Sequence, residues 1–154
     1  MVSPSIFTTL LNASNGMILA CFGQNPPSEP QLMPLTYGAC KQAVQNIPMR
    51  EKAFAPVIFS RNPHAGFKVP HSWSHGGCVI RIDTLEADVE ETATFAAVFT
   101  RAFELAAECV IKPPHFGGRS LIGTTDMLEI AVIESSIRKS LPNALKGLGG
   151  ISAD

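Results

Sequence analysis

The feature that most constrains the fold is a stretch of alternating polarity followed by an amphipathic stretch, with a cysteine in each. In Gly77–Asp83, every second residue is Cys or Ile, so Cys78, Ile80 and Ile82 would share one face of a strand. A helix is expected near Glu91–Val110, because apolar residues recur there with helical period. They are Phe95, Val98, Phe99, Ala102, Leu105, Ala106 and Cys109. These patterns predict a helix that lies across a sheet.

The four cysteines indicate which disulfides or metal sites the chain could form. None forms a C-x-x-C pair, which disfavours a zinc ribbon or a thioredoxin-type motif. A Cys78–Cys109 disulfide would tie the start of the strand to the end of its covering helix, closing a loop of about thirty residues. Cys21 and Cys40 would then be the second pair. The alternative is that all four are buried free thiols in an intracellular protein.

Composition limits the class of protein. A chain of 154 residues predicts about one domain, and 45% hydrophobic with 16% charged residues predicts a globular core. The net charge of −1 gives no electrostatic reason to expect a nucleic-acid partner. The apolar runs are too short for a transmembrane segment, which needs about 20 residues.

The chain divides into three parts on composition. Residues 1–34 form a leader or extension with a Pro-rich linker, residues 35–141 a single α+β domain, and residues 142–154 a flexible Gly-rich tail. No Lys or Arg precedes Lys41, so residues 1–23 lack the basic start of a secretory signal. This segment is either an atypical signal or an extension that packs on the domain.

The remaining elements complete the fold prediction. Thr36 is expected to cap a helix that Pro48 ends. Asp88 and Glu91 have capping-box spacing ahead of the second helix, with Thr92 as a competing cap. We predict an α+β fold, a small sandwich with two main helices packed on one face of an antiparallel sheet. The other segments are a strand at Pro56–Ser60, a loop at Asn62–Gly76, a loop or hairpin at Phe116–Asp126, a strand at Met127–Glu134 and a short helix at Ser135–Leu141.

No segment carries a convincing metal or cofactor motif. His64, His71, His75 and Cys78 are close in the sequence, but their spacings match no zinc pattern. We therefore expect a surface loop with histidines, no metal and no cofactor.

Catalytic patterns are equally weak. His115 and Asp126 would permit a Ser-His-Asp site, but no G-x-S-x-G elbow exposes a serine. Gly117–Ser120 lacks the rest of a phosphate-binding loop. Glu104 and Glu108 lie one helical turn apart and are expected to face solvent. The absence of a catalytic motif from the sequence favours a binding protein over an enzyme, and it leaves an enzymatic activity open.

The loop around Trp73 is the candidate binding site. It combines the only tryptophan of the chain with His71 and His75. An aromatic anchor held by a rigid strand loses little entropy on binding and can act as a hot spot. The alternative is that Trp73 fills the end of the core.

The chain resembles a broad group of short secreted fungal proteins, which are small, cysteine-containing and effector-like or killer-toxin-like. The residues that carry the resemblance are Cys40, Trp73, Gly77–Ile82, Cys109-Val110, Gly117-Gly118 and Ile122-Gly123, within about Leu35 to Ile133. The resemblance implies an α/β layout and secretion, and it implies no particular chemistry.

Three functional hypotheses follow. The first is a small secreted fungal protein that binds a host or cell-surface component, protein or glycan, outside the cell and without catalysis. The second is a small accessory enzyme or small-molecule-binding protein of fungal secondary metabolism, with an apolar pocket between helices and sheet. The third is an intracellular interaction protein whose cysteines stay reduced.

Overall fold

The structure is a computed structural model, and it describes residues 8–12, 18–24, 27–29, 31–62 and 64–138. These residues form two sheets and a helical layer. The strands are β1 (Thr8–Asn12), β2 (Ile18–Phe22), β3 (Val57–Ser60), β4 (Phe67–Lys68), β5 (His71–His75), β6 (Cys78–Thr84), β7 (Glu91–Ala93), β8 (Gly118–Ile122) and β9 (Leu128–Glu134). The helices are α1 (Tyr37–Gln45), α2 (Phe95–Ala106), which continues as a π-helical turn over Ala107–Ile111, and α3 (Ser135–Arg138).

The main sheet has six strands in the order β1-β2-β8-β9-β6-β5, and all neighbours are antiparallel. Its centre is formed by the apolar strands β6 and β9, which pair along their whole length. The second sheet has the order β4-β3-β7, with β3 parallel to β4 and antiparallel to β7.

Both main helices pack on the same face of the main sheet. Ile80 pairs with Val132 and Ile82 with Ile130, so these four side chains lie on one face. They share the core with buried residues of the two helices, namely Cys40, Ala43, Val44, Val98, Ala102, Leu105 and Ala106. The α+β sandwich is therefore confirmed. No helix among the described residues is long and apolar enough to cross a membrane.

Both helices begin at a threonine cap. The Thr36 hydroxyl accepts a hydrogen bond from the Ala39 N–H (3.4 Å), as expected. For α2 the expected caps are wrong, because the Thr94 hydroxyl accepts from the Ala97 N–H (3.0 Å). The segment Glu91–Ala93 instead forms β7, which pairs with β3.

The predicted disulfide pairing is wrong. Cys78 and Cys109 are both bonded, but the pairs are Cys21–Cys109 and Cys40–Cys78. Cys21 lies opposite Gly118 in the β2–β8 register, and a Cβ on Gly118 would lie 2.8 Å from the Cys109 sulfur. Because Gly118 has no side chain, Cys109 reaches Cys21 across that position.

The segment before the proline-rich linker takes part in the fold. Strand β2 pairs with β8, and Leu19 and Cys21 belong to the core. Of the two alternatives for this segment, the structure agrees with an extension that packs on the domain. Cleavage of residues 1–23 and a domain boundary at residue 34 stay predictions. The predicted tail, residues 142–154, lies outside the described residues.

Candidate functional site

The predicted binding loop is a strand. The expected loop over Asn62–Gly76 contains β4 and β5, and β5 pairs with β6 in the register Trp73 opposite Ile80. Because side chains alternate along a strand, His71, Trp73 and His75 lie on the helix side of the sheet. The structure thus brings the three predicted binding residues onto one face of one strand.

Trp73 is largely buried, with 9% of its surface exposed, whereas His71 and His75 are exposed. Its ring stacks on Phe67 at 6.4 Å and meets the His71 ring edge-to-face at 4.7 Å. Phe67 also contacts Phe95, so these four rings form one aromatic cluster with Phe59. Trp73 therefore packs in the core on the helix side of β5, and little of its surface is exposed to a partner. Its role in binding stays a prediction.

Partial burial of the ring against its aromatic neighbours lowers the pKa of His71 from its ordinary value of 6.5. The imidazole is therefore neutral at pH 7 and packs as an uncharged ring against Phe67 and Trp73.

The outer edge of β5 carries unpaired backbone groups. The Asn46 side-chain amide donates to the Ser74 carbonyl (3.2 Å), so this carbonyl points away from β6. In an antiparallel pair the direction of the backbone groups alternates between residues, so the N–H and C=O of Ser72 point the same way. Within the part of the chain that the structure describes, β6 is the only strand that pairs with β5. The edge at Ser72 is therefore available for hydrogen bonds with another chain.

A second group of polar residues lies on the opposite face of the main sheet. We call Arg61, Arg81, Asp83, Arg119 and Glu129 the arginine–carboxylate cluster. Arg81 and Arg119 both pair with Ala131, one from each side, and Asp83 pairs with Glu129. The cluster therefore occupies two neighbouring rows of β8, β9 and β6, with Arg61 reaching in from the end of β3.

Asp83 holds two arginines. Arg61 donates from Nε to Oδ1 (3.0 Å) and from Nη2 to Oδ2 (3.1 Å), and Arg81 donates from Nη2 to Oδ2 (3.1 Å). Arg61 Nη2 also donates to the Thr84 carbonyl (3.1 Å). Such a bidentate pair fixes both partners, and it compensates for the burial of Asp83.

Glu129 is paired less completely. The residue is 2% exposed, and its Oε2 lies 3.2 Å from Arg119 Nε but forms no aligned hydrogen bond. Burial raises the pKa of Glu129, the charges of Arg119 and Arg81 oppose this, and Asp83 adds to it. Burial likewise lowers the pKa of Arg119 against the effect of Glu129. The cluster thus contains one well-paired carboxylate and one that is easier to protonate.

Our sequence analysis missed this cluster. Its signal is a charged residue at the outward positions of apolar strands, namely Arg81 and Asp83 in β6, Arg119 in β8 and Glu129 in β9. The alternation alone does not show that these charges meet, because the register between β6 and β9, which are distant in the chain, decides whether Arg81 and Asp83 lie beside Arg119 and Glu129.

The other residues that we considered have structural contacts. Cys78 is disulfide-bonded, so it offers no thiolate to a metal, and no group of three potential ligands occurs among the described residues. His115 Nδ1 lies 2.6 Å from the Val110 carbonyl. On the helix, Glu104 and Glu108 pair with Arg101 and Lys112. Gly118–Ile122, expected to be a loop or hairpin, is strand β8.

Glu91 fixes the turn between β8 and β9. This buried carboxylate accepts hydrogen bonds from Thr92, Thr124, Thr125 and Met127. Burial would raise the pKa of Glu91, but these hydrogen bonds outweigh it and lower the pKa from 4.5 to about 2. Ionised Glu91 therefore stabilises the fold.

We expect Glu91→Gln to lower the free energy of unfolding at pH 7 by about 3 kcal/mol, because an amide N–H₂ would face these donors. The folded pKa is below the unfolded one, so the contribution is complete above about pH 4.5 and is lost as the pH falls towards 2. Urea unfolding between pH 7 and pH 2 measures the difference. Glu90→Gln, at an exposed neighbour, is the control. A difference that does not change with pH would contradict this role.

Comparison of the chain with protein-family models, with curated protein sequences and with solved structures found no match. The resemblance to the fungal group therefore stays a prediction.

Proposed function

We propose that this chain is an extracellular protein that acts by binding, without catalysis, and that it binds an extended segment of a cell-surface protein at the edge of β5. Two disulfides support an oxidising compartment, because such bonds persist outside the cytosol. The fungal group that the chain resembles is also secreted.

The observation that carries the proposal is the unpaired backbone at Ser72 on the edge of the main sheet. An edge strand offers a row of N–H and C=O groups, and an extended segment that adds to it gains backbone hydrogen bonds. Among the residues that the structure describes, only the Ser74 carbonyl has a partner on this side, the amide of Asn46. A protein segment fits this edge better than a glycan does, because it supplies donors and acceptors at the strand repeat.

The side chains of β5 add specificity on both sides of the edge. His71 and His75 are exposed on the helix side, and Ser72 and Ser74 lie on the other. Trp73 anchors the strand in the aromatic cluster, and the Cys40–Cys78 disulfide ties the paired strand β6 to α1. A preordered edge loses little entropy when a partner binds.

The test is Ser72→Pro. Proline removes the outward N–H and blocks pairing on that side, while the ladder to β6 keeps its hydrogen bonds. We expect binding of the labelled protein to immobilised fungal and host cell-surface extracts to weaken at least about tenfold, or about 1.4 kcal/mol.

Ser72→Ala is the matched control, because it keeps the N–H, and it should bind as the original chain does. Protease treatment of the extract should abolish binding, since the proposed partner is a protein. Equal binding by the proline variant, or binding that survives proteolysis, would overturn the proposed mode.

A further inference from the structure

We propose that Asn12 carries an N-linked glycan, and that this glycan keeps the open edge of β1 from pairing with a second chain. The site lies at the opposite edge of the main sheet from β5, so it goes beyond the proposed binding surface. It rests on the proposed function in one respect, because N-glycans are attached to chains that follow the secretory route.

Asn12 begins an acceptor sequence for N-glycosylation. In Asn12-Ala13-Ser14 a serine stands two residues after the asparagine, and the residue between them is not proline. No other asparagine of the chain has serine or threonine at that position. These asparagines are Asn15, Asn25, Asn46, Asn62 and Asn143. The sequence therefore offers a single acceptor.

The structure places Asn12 where the chain leaves the sheet. Asn12 is the last residue of β1 and pairs with Ile18, the first residue of β2. Residues 13–17 connect the two strands and lie outside the described residues. Connections between strands run over the protein surface, and this is the structural context that an acceptor sequence requires.

The open edge of β1 is an independent observation that favours a glycan. Within the described part of the chain, β1 pairs only with β2, so its other side carries unpaired backbone groups. Its sequence is Thr-Thr-Leu-Leu-Asn, and the first charged side chain of the whole sequence is that of Glu29. An uncharged edge strand of five residues, about 17 Å long, is a template for pairing with another copy.

The other edge strands are protected in different ways. Strands β4 and β7 have only two and three residues, and Lys68 adds a charge to β4. On β5 the Asn46 amide already occupies the Ser74 carbonyl. Among the described residues β1 has none of these protections, and a bulky, hydrophilic glycan at its end supplies one. The main sheet then keeps one edge, that of β5, open to a partner.

The modification is a group transfer. The side-chain amide nitrogen of Asn12 forms a bond to the anomeric carbon of an oligosaccharide whose donor is a lipid diphosphate. The bond between that carbon and the diphosphate oxygen breaks, the lipid diphosphate leaves, and the amide loses one proton. No oxidant or reductant is consumed.

The first test is secretion of the full chain from a eukaryotic host, with a secretion signal added ahead of Met1. We expect peptide N-glycosidase F to lower the mass of the secreted chain and to convert Asn12 to aspartate, which mass spectrometry detects. Ser14→Ala keeps Asn12 and should abolish the glycan, whereas Ser14→Thr should retain it. Asn15→Gln is the matched control and should be glycosylated as the original chain is.

A secreted, folded chain without a glycan at Asn12 would overturn the site. The test of binding by Ser72→Pro is separate. A glycan at Asn12 in a chain whose Ser72→Pro variant binds unchanged would support the site and would overturn only the proposed mode of binding.

Light scattering tests the role of the glycan at the edge. We expect Ser14→Ala to self-associate with a Kd at least about tenfold lower than that of the glycosylated chain. Adding Leu10→Lys should restore the monomer, because a lysine protects an edge strand and Leu10 pairs with the partly exposed Ala20. Circular dichroism verifies that each variant is folded. Equal self-association with and without the glycan, or association that persists with Leu10→Lys, would overturn this role.

Discussion

We expect the double variant Cys21→Ala/Cys109→Ala to lose about 4–5 kcal/mol of unfolding free energy, the largest effect of any change considered for this chain. The bond links residues 88 positions apart, and the chain-entropy model gives a stabilisation that grows with the length of the closed loop. The bond also joins β2 to the end of α2, across the space that Gly118 leaves open. Urea unfolding under non-reducing conditions measures the loss.

The second disulfide is the internal comparison. Cys40–Cys78 spans 38 positions, so the same model gives about 4 kcal/mol for Cys40→Ala/Cys78→Ala. Peptide mapping without reduction should recover Cys21 with Cys109 and Cys40 with Cys78. A peptide that links Cys78 to Cys109, or four alkylatable thiols in the native protein, would contradict the observed pairing.

Trp73→Ala should be the most destabilising single substitution in the candidate binding strand, costing about 3–5 kcal/mol. The side chain is 9% exposed and contacts both Phe67 and His71, so its removal leaves a cavity at the edge of the core. Thermal unfolding followed by circular dichroism measures the loss.

Ser74→Ala is the control for Trp73→Ala, because Ser74 is exposed on the same strand, and it should change stability by less than about 0.5 kcal/mol. If Trp73→Ala were as stable as this control, Trp73 would be an anchor for a partner and not a core residue. Loss of binding in an unfolded Trp73 variant would therefore say nothing about recognition, which is why Ser72→Pro tests the binding edge.

The elements that could be predicted from the sequence are those whose own pattern decides their structure. The residues of β6 and β9 alternate in polarity or are almost continuously apolar, and α2 has a long apolar stripe. The sequence pattern of each element therefore predicts which of its faces is buried. β5 was missed because four of its five residues are His or Ser, and only its pairing with β6 makes it a strand. Its alternation of large and small side chains was the available signal.

The disulfides and the arginine–carboxylate cluster depend on distant parts of the chain. Four cysteines allow three pairings, and spacing does not choose among them. The correct one follows from the β2–β8 register, which places Cys21 opposite Gly118. The position of Asp83 opposite Glu129 follows in the same way from pairing between β6 and β9. Local patterns thus predict the layers, and register decides both the covalent bonds and the candidate site.

The positions of the two disulfides have a consequence for biosynthesis. Cys40–Cys78 lies inside the loop closed by Cys21–Cys109, and all four cysteines precede β8 and β9 in the chain. A growing chain therefore presents every thiol before the centre of its main sheet has been made. Until β8 is synthesised, no register holds Cys21 beside Cys109, so early pairs form without that guidance. The native pairing then depends on the delayed oxidation of Cys21 and Cys109, or on later exchange between thiols and disulfides.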